Sequence, residues 1–430
     1  MTTPPWPLYN PALLTSAEAS LAHSLRRPLA ERLLALLGRL GGTGAPQHQL
    51  ILGAPGSGKT MLLRALQSAI AHTPKLRDRW IPLTFPEALW DVGRPSDFWE
   101  DALDYLVIAL RRADHHAVAA ELEAQIRALP ADEDARGQMA LALLTLASER
   151  LGCRFVLLVD TLDIVLERLK RDQWHVREVL SAEPRVLVIG TSARAIEATF
   201  RYDAAFYDFF QLHELRPLPR EGLAETLRAV HADDPLVHLR VLAERDPAAV
   251  GAVLELVGSQ PRALALCGLV LANRPLATPA ELVMAVLDHL TPHLRARIDQ
   301  LAPQSQQVVR GLAAAWHPVR PQELAQRTRL APNVVSAQLH RLAAEGIVDK
   351  APLPRSLRHG FLIADRQLQV WLLMRLGQPH RRRLALAAEL LHRRLRGEAV
   401  PLPPELFEPE VTDDPDPSLA VAPELRRLLG

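Results

Sequence analysis

The sequence predicts an α/β unit built on a parallel sheet, followed by a helical segment and a helix-turn-helix with a wing. Three observations predict it. The run Gly53-Ala54-Pro55-Gly56-Ser57-Gly58-Lys59-Thr60 is a glycine-rich turn with an apolar, strand-like segment before it (49–52) and a helix-forming segment after it (61–66). Two further apolar runs, 154–160 and 185–190, have the unbroken hydrophobicity of strands covered on both faces. From Pro217 onward the strand pattern stops and helical signals dominate.

The glycine-rich run fits G-x-x-x-x-G-K-[ST] at every position, a match expected by chance in about one chain of this length in a hundred. Gly53, Gly56 and Gly58 let the backbone turn sharply, so successive N–H groups point inward. Together with Ala54, Pro55, Ser57 and the positive end of the following helix they cradle a polyphosphate. Lys59 then reaches the β- and γ-phosphates, and the Thr60 hydroxyl binds Mg²⁺. Lysine is scarce in this arginine-rich chain, being confined to Lys59, Lys75, Lys170 and Lys350.

Composition narrows the classes. A length of 430 residues holds roughly two to four domains. The net charge of +1 gives no bulk attraction for nucleic acid, so any basic surface must be local. Cys153 and Cys267 sit in apolar contexts, as buried thiols of a reducing compartment do, and no spacing suggests zinc. The first residues lack a signal-peptide profile and no apolar run is long enough to span a bilayer, so a cytoplasmic protein without a membrane partner is expected.

In chain order, residues 1–45 read as a Pro-rich arm and a helix over 24–40, with Leu29, Leu33 and Leu37 on its apolar side. The α/β unit is expected over 46–215. Its second strand is 80–84, and Ser96 is placed as N-cap of a helix running through Leu110. Two helices broken near Pro130 follow. The strand 154–160 ends in Asp160, a carboxylate placed to hold Mg²⁺. Residue 161 is Thr; Asp163 is the nearest other carboxylate, either a base or a first-turn helix charge. The strand 185–190 ends in Thr191-Ser192, at the sheet edge where ligands bind in open α/β folds. Thr191 either senses a γ-phosphate or caps the next helix. Arg194 and Arg201 either meet a γ-phosphate, in their own or a neighbouring subunit, or lie on a solvated face.

Residues 216–295 read as a helical segment, with helices over 220–232, 236–245, 247–256 and 261–272. Pro261 opens the last, so Arg262 projects from its amino end, where it can bind phosphate. Residues 296–378 form the helix-turn-helix: helices over 303–315, 321–328 and 332–346, then two strands around 352–359 as the wing. Asn333, Ser336, Gln338, His340 and Arg341 on the third helix, and Arg355, Arg358 and His359 in the wing, are the candidate duplex-DNA contacts. Residues 379–430 are a basic helix, either solvated or phosphate-contacting, and an acidic Pro-rich tail.

With these residues in place, the chain resembles the signal-transduction ATPases of the STAND class and the archaeal origin-recognition and archaeal-ATPase groups of the AAA+ superfamily. The resemblance covers about residues 8–378. It rests on Asn10-Pro11, the helix with Arg26-Arg27, the loop 53–60, the strand ending at Asp160, Gly190-Thr191-Ser192, Gly258-Ser259-Gln260-Pro261-Arg262, and the winged helix closing with 361–365 and Trp371. It implies an ATP site with Mg²⁺, an extra strand between the loop strand and the acidic strand, and a lid that carries Arg262 to the phosphates. It also implies a winged helix that follows nucleotide state, acting on DNA or on a protein effector, with a nucleotide-dependent homo-oligomer. Thr161 departs from the acidic residue of active relatives, which implies slow turnover or a nucleotide-holding switch.

Overall fold

A computed structural model of the chain describes residues 24–40, 45–85, 92–193, 196, 199, 202–219, 221–230, 234, 236–313, 315, 317–353, 358–375 and 377–399. The chain divides into two compact units, 1–216 and 217–430.

The first unit is a five-stranded sheet of β1 (His48–Leu52), β2 (Trp80–Thr84), β3 (Arg154–Val159), β4 (Val186–Ser192) and β5 (Phe210–Glu214), ordered β2-β3-β4-β1-β5. All neighbouring pairs are parallel. The sheet therefore has β4 between the loop strand β1 and the acidic strand β3, as the resemblance implies. The alternation of strand side chains assigns each to one of two cores. Val156, Leu158, Leu187 and Ile189 face α1 (Arg27–Arg39) and α2 (Lys59–His72), with the short α3 (Pro74–Arg77) beside them. Phe155, Leu157, Val159 and Val188 face α4 (Pro95–Arg112), α5 (His116–Arg127), α6 (Glu133–Leu151), α7 (Leu162–Arg168) and α8 (Gln173–Ala182). Strands buried on both sides need the continuous apolar runs that the sequence shows.

The helix α1 belongs to this core. Leu29, Leu33 and Leu37, one turn apart, are buried against the α2 side, and the Trp80 indole donates to the Leu37 carbonyl at 3.2 Å. The start of α4 differs from expectation. Pro95 takes the first helical position, which moves the cap to Arg94 and puts Ser96 inside the helix. The Asp97 carboxylate accepts from the Gly93 and Arg94 N–H groups at 2.9 Å each.

The second unit begins with α9 (Leu223–Arg228), α10 (Leu236–Arg245), α11 (Pro247–Val257) and α12 (Pro261–Asn273). The 21-residue α13 (Pro279–Asp299) then spans a segment that the sequence reading left without a helix. It starts at a capping box in which Thr278 Oγ1 accepts from the Glu281 N–H at 3.3 Å and Glu281 accepts from the Thr278 N–H at 2.8 Å. Next come α14 (Pro303–Ala313), α15 (Pro321–Thr328) and α16 (Pro332–Ala344), with Arg329 in the left-handed region at φ 55° in the turn between the last two. β6 (Val348–Pro352) and β7 (His359–Ile363) form an antiparallel hairpin, and Val319 adds a bridge to Phe361. Then α17 (Arg366–Arg375) and α18 (Gln378–Leu395) complete the unit. Arg297 on α13 donates to Asp365 at 3.0 Å, and Trp371 on α17 donates to Thr291 on α13 at 3.0 Å.

The basic helix α18 carries an apolar face opposite its exposed Arg381, Arg382, Arg393 and Arg394. Leu384, Ala387, Ala388 and Leu391 are buried, spaced for one helix face, and α18 packs on α11 and α13. Two of its polar side chains meet carboxylates: Arg381 lies 3.6 Å from Asp288, and His392 lies 2.8 Å from Asp246 at the start of α11.

Candidate functional site

The loop 53–60 joins the end of β1 to the start of α2. Gly56 and Gly58 hold φ of 85° and 94°, a region that penalises a side chain, and Gly58 is the residue before the first turn of α2. Gly53 is required for a different reason. A Cβ there would lie 2.5 Å from the Ser57 hydroxyl and 3.0 Å from Leu215 Cβ. The Lys59 ammonium folds back over the loop and donates to the carbonyls of Gly53 at 2.6 Å and Ala54 at 3.3 Å. Ser57 Oγ is buried without a hydrogen-bond partner in the loop's interior.

Asp160 stands beside this loop at the carboxyl end of β3. Thr60 donates to its Oδ2 at 2.5 Å, and Thr191, arriving on β4, donates to its Oδ1. The Thr161 N–H, held in the left-handed region at φ 51°, donates at 3.1 Å both to Asp160 Oδ1 and to the Thr191 hydroxyl. The Thr191 hydroxyl thus orders the carboxylate. Asp163 is buried in the first turn of α7. Gly190 lets α7 come this close, because a Cβ there would lie 2.3 Å from the Leu162 side chain.

The residues present fit a nucleotide triphosphate with Mg²⁺. A side chain at Gly53 would meet Ser57 and Leu215, Gly56 and Gly58 hold positive φ, and a buried hydroxyl and a buried lysine sit within the loop. Thr60 and Asp160 offer a hydroxyl and a carboxylate oxygen, the hard donors that Mg²⁺ takes alongside water and phosphate. Among the described residues no cluster of three or more His, Cys, Asp or Glu side chains could hold a metal by itself.

One residue at this site escaped the sequence reading in its role. Arg26, just before α1, donates to the Ser57 carbonyl at 3.0 Å and to the Arg216 carbonyl at 2.8 Å. Burial lowers its pKa to about 10, so it stays cationic at neutral pH. Its partners lie 31 and 190 positions away, beyond any local pattern.

In the second unit, Arg262 occupies the first turn of α12 behind Pro261, as expected. On α13, burial first, then the charges of Arg262 and Arg297, lower the His293 pKa to about 4. Arg194, Arg201 and Arg355 lie outside the described residues, as do Asn10 and Pro11.

Of the expected DNA contacts, Asn333 and Ser336 from α16 and Arg358 and His359 at the start of the second hairpin strand line one pocket of about 420 Å³, joined by Arg320 and Gln322 at the start of α15. Arg320 and Gln322 were not foreseen. His340 and Arg341 are exposed further along α16, outside this pocket, and Gln338 accepts from the Ser305 hydroxyl at 2.7 Å.

The parallel sheet with its phosphate loop, and the acidic strand one strand away, is the P-loop AAA+ α/β fold. Residues 25–189 match the family model described as an AAA ATPase domain. A Walker-type ATPase of Pyrococcus abyssi superposes with a TM-score of 0.54 at 15% identity, covering 81% of this chain and 95% of that one, which shows the shared fold. The ORC1 protein of Aeropyrum pernix, solved in complex with DNA, aligns with a TM-score of 0.43 at 16% identity over 85% of this chain and 94% of that one. No curated protein matches the chain. No helix among the described residues is long and apolar enough to cross a membrane.

Proposed function

We propose that this protein is an ATP-binding, slowly hydrolysing AAA+ switch whose nucleotide state sets the engagement of a winged helix with duplex DNA. The observation that carries the proposal is the chain of hydrogen bonds from Thr60 through Asp160 to Thr191 beside the glycine cradle. Bound there, Mg²⁺ and the triphosphate supply an electrophilic phosphorus and its charge neutralisation. The loop N–H groups and Lys59 hold the phosphates, Thr60 and Asp160 hold the metal, and Thr191 keeps Asp160 in place. Thr161 has no carboxylate with which to orient water, and Asp163 is buried, which supports slow turnover.

In this proposal the α/β domain runs from 46 to 215, a lid from 216 to 295 carries Arg262 to the phosphates, and residues 296–378 are the winged helix. Arg194 or Arg201 then meets the γ-phosphate, in its own subunit or in a neighbouring copy of a nucleotide-dependent homo-oligomer. The test is duplex affinity with and without Mg·ATP, in the wild type and in Lys59→Ala. A nucleotide effect in the wild type that disappears in the variant supports the switch. Equal wild-type affinity in both states refutes it.

Glu345 and Asp349, exposed beside the wing, favour a second reading, in which the winged helix binds a protein effector in a signalling or defence ATPase. There ATP changes oligomeric state while duplex affinity remains weak and sequence-blind.

A further inference from the structure

The pocket at the winged end of the second unit has a chemistry of its own. It is lined by Arg320 and Gln322 from the start of α15, Asn333 and Ser336 from the start of α16, and Arg358 and His359 from the start of β7. Two guanidinium groups and an imidazole share it with two amides and a hydroxyl, and no carboxylate is among the described lining residues. Its volume of about 420 Å³ leaves room for a phosphate group and its ester neighbours. Arg320 is also the N-cap residue of α15, and neither α15 nor α16 has a side chain bonded to its first N–H groups. A cation at a helix amino end opposes the helix dipole, a cost that a bound anion removes.

We propose that this pocket is a phosphate seat, gripped by Arg320 and Arg358, and that on a duplex it takes one backbone phosphodiester. The second half rests on the DNA-binding reading above. The assignment changes the roles of three residues. Arg320 joins the interface. Asn333 and Ser336 become hydrogen-bond donors to a phosphate, so they fix the register of the protein on the duplex without reading its sequence. Base contact is then left to the exposed face of α16 beyond the pocket, where His340 and Arg341 lie.

The experiment measures binding of two duplexes of unrelated sequence over a salt series, with full-length wild type, Arg320→Ala, Arg358→Ala and Asn333→Ala. For each variant the proposal expects the same several-fold loss on both duplexes. For the two arginine variants it also expects the slope of log affinity against log salt to fall by about one. Unchanged affinity and slope in both arginine variants overturns it, as does an Asn333→Ala effect confined to one sequence. Wild-type protein that binds neither duplex defeats the DNA reading, and a second arm then decides the seat. In a Lys59→Ala background, where the nucleotide loop is disabled, inorganic phosphate raises the melting temperature if the pocket binds free anion. Adding Arg320→Ala removes that rise. No rise in the Lys59→Ala protein overturns the phosphate seat altogether.

Discussion

The Arg26 guanidinium donates to the Ser57 carbonyl at 3.0 Å, fixing from outside the peptide whose neighbours form the glycine cradle. Its second bond, to Arg216, ties the same guanidinium to the last residue of the first unit. A cation held on carbonyls alone, next to a loop built for phosphate, braces the loop and adds positive potential to it. Arg26→Gln is expected to weaken Mg·ATP binding by about 1.5 kcal/mol, roughly tenfold, the usual worth of a hydrogen bond to a charged group. Calorimetric titration reads this directly; affinity equal to wild type would show that the brace has no part in binding.

Thr191 bears on the metal through Asp160. Thr191→Val keeps the shape of the side chain and deletes the hydroxyl that donates to Asp160 Oδ1. Loss of such an orienting partner costs about 10- to 100-fold in metal-dependent function. The expected result is a smaller gain in nucleotide affinity on adding Mg²⁺, with affinity in EDTA unchanged. A loss that is the same with and without Mg²⁺ would assign Thr191 to the phosphates.

Gly190 governs how closely α7 seats on the sheet. Gly190→Ala pushes a methyl group into Leu162 and is expected to destabilise the fold by about 1–3 kcal/mol. Adding Leu162→Ala opens the space and recovers part of the loss, which a double-mutant cycle in denaturant measures. Additive effects of the two changes would rule out the contact.

His48 makes the sheet acid-sensitive. Its ring lies tilted against Phe209 with centroids 4.8 Å apart, its Nδ1 accepts from the Val188 N–H at 3.0 Å, and burial lowers its pKa from 6.5 to about 4. Above pH 6.5 neither the folded nor the unfolded chain protonates it. Between pH 6.5 and about 4 the unfolded chain binds a proton that the folded chain refuses, so stability falls with pH, by about 3 kcal/mol over the window. Denaturant midpoints across this range should fall more steeply in the wild type than in His48→Gln. Parallel slopes would contradict the assignment.

The parts of this molecule that were plain in the sequence are those whose physics is local. The loop 53–60, the apolar run into Asp160 and the Pro261-Arg262 helix start each carry their signal within a few residues. What stayed hidden depends on chain neighbours brought together by the fold. The duty of Thr191 toward Asp160 requires β4 beside β3, and that of Arg26 requires the folded loop. Arg320 gains meaning only when α15, α16 and β7 converge. One difference was local: Pro95 takes the first helical position and displaces the cap expected at Ser96.

The central claim is that Lys59, Thr60 and Asp160 form a triphosphate–Mg²⁺ site, and isothermal titration of the full-length protein with Mg·ATP tests it most directly. The account predicts saturable binding in the wild type, abolished by Lys59→Ala and weakened by Asp160→Asn only when Mg²⁺ is present. Wild-type protein that takes up no nucleotide, or a Lys59→Ala protein that binds it as tightly, would contradict the account.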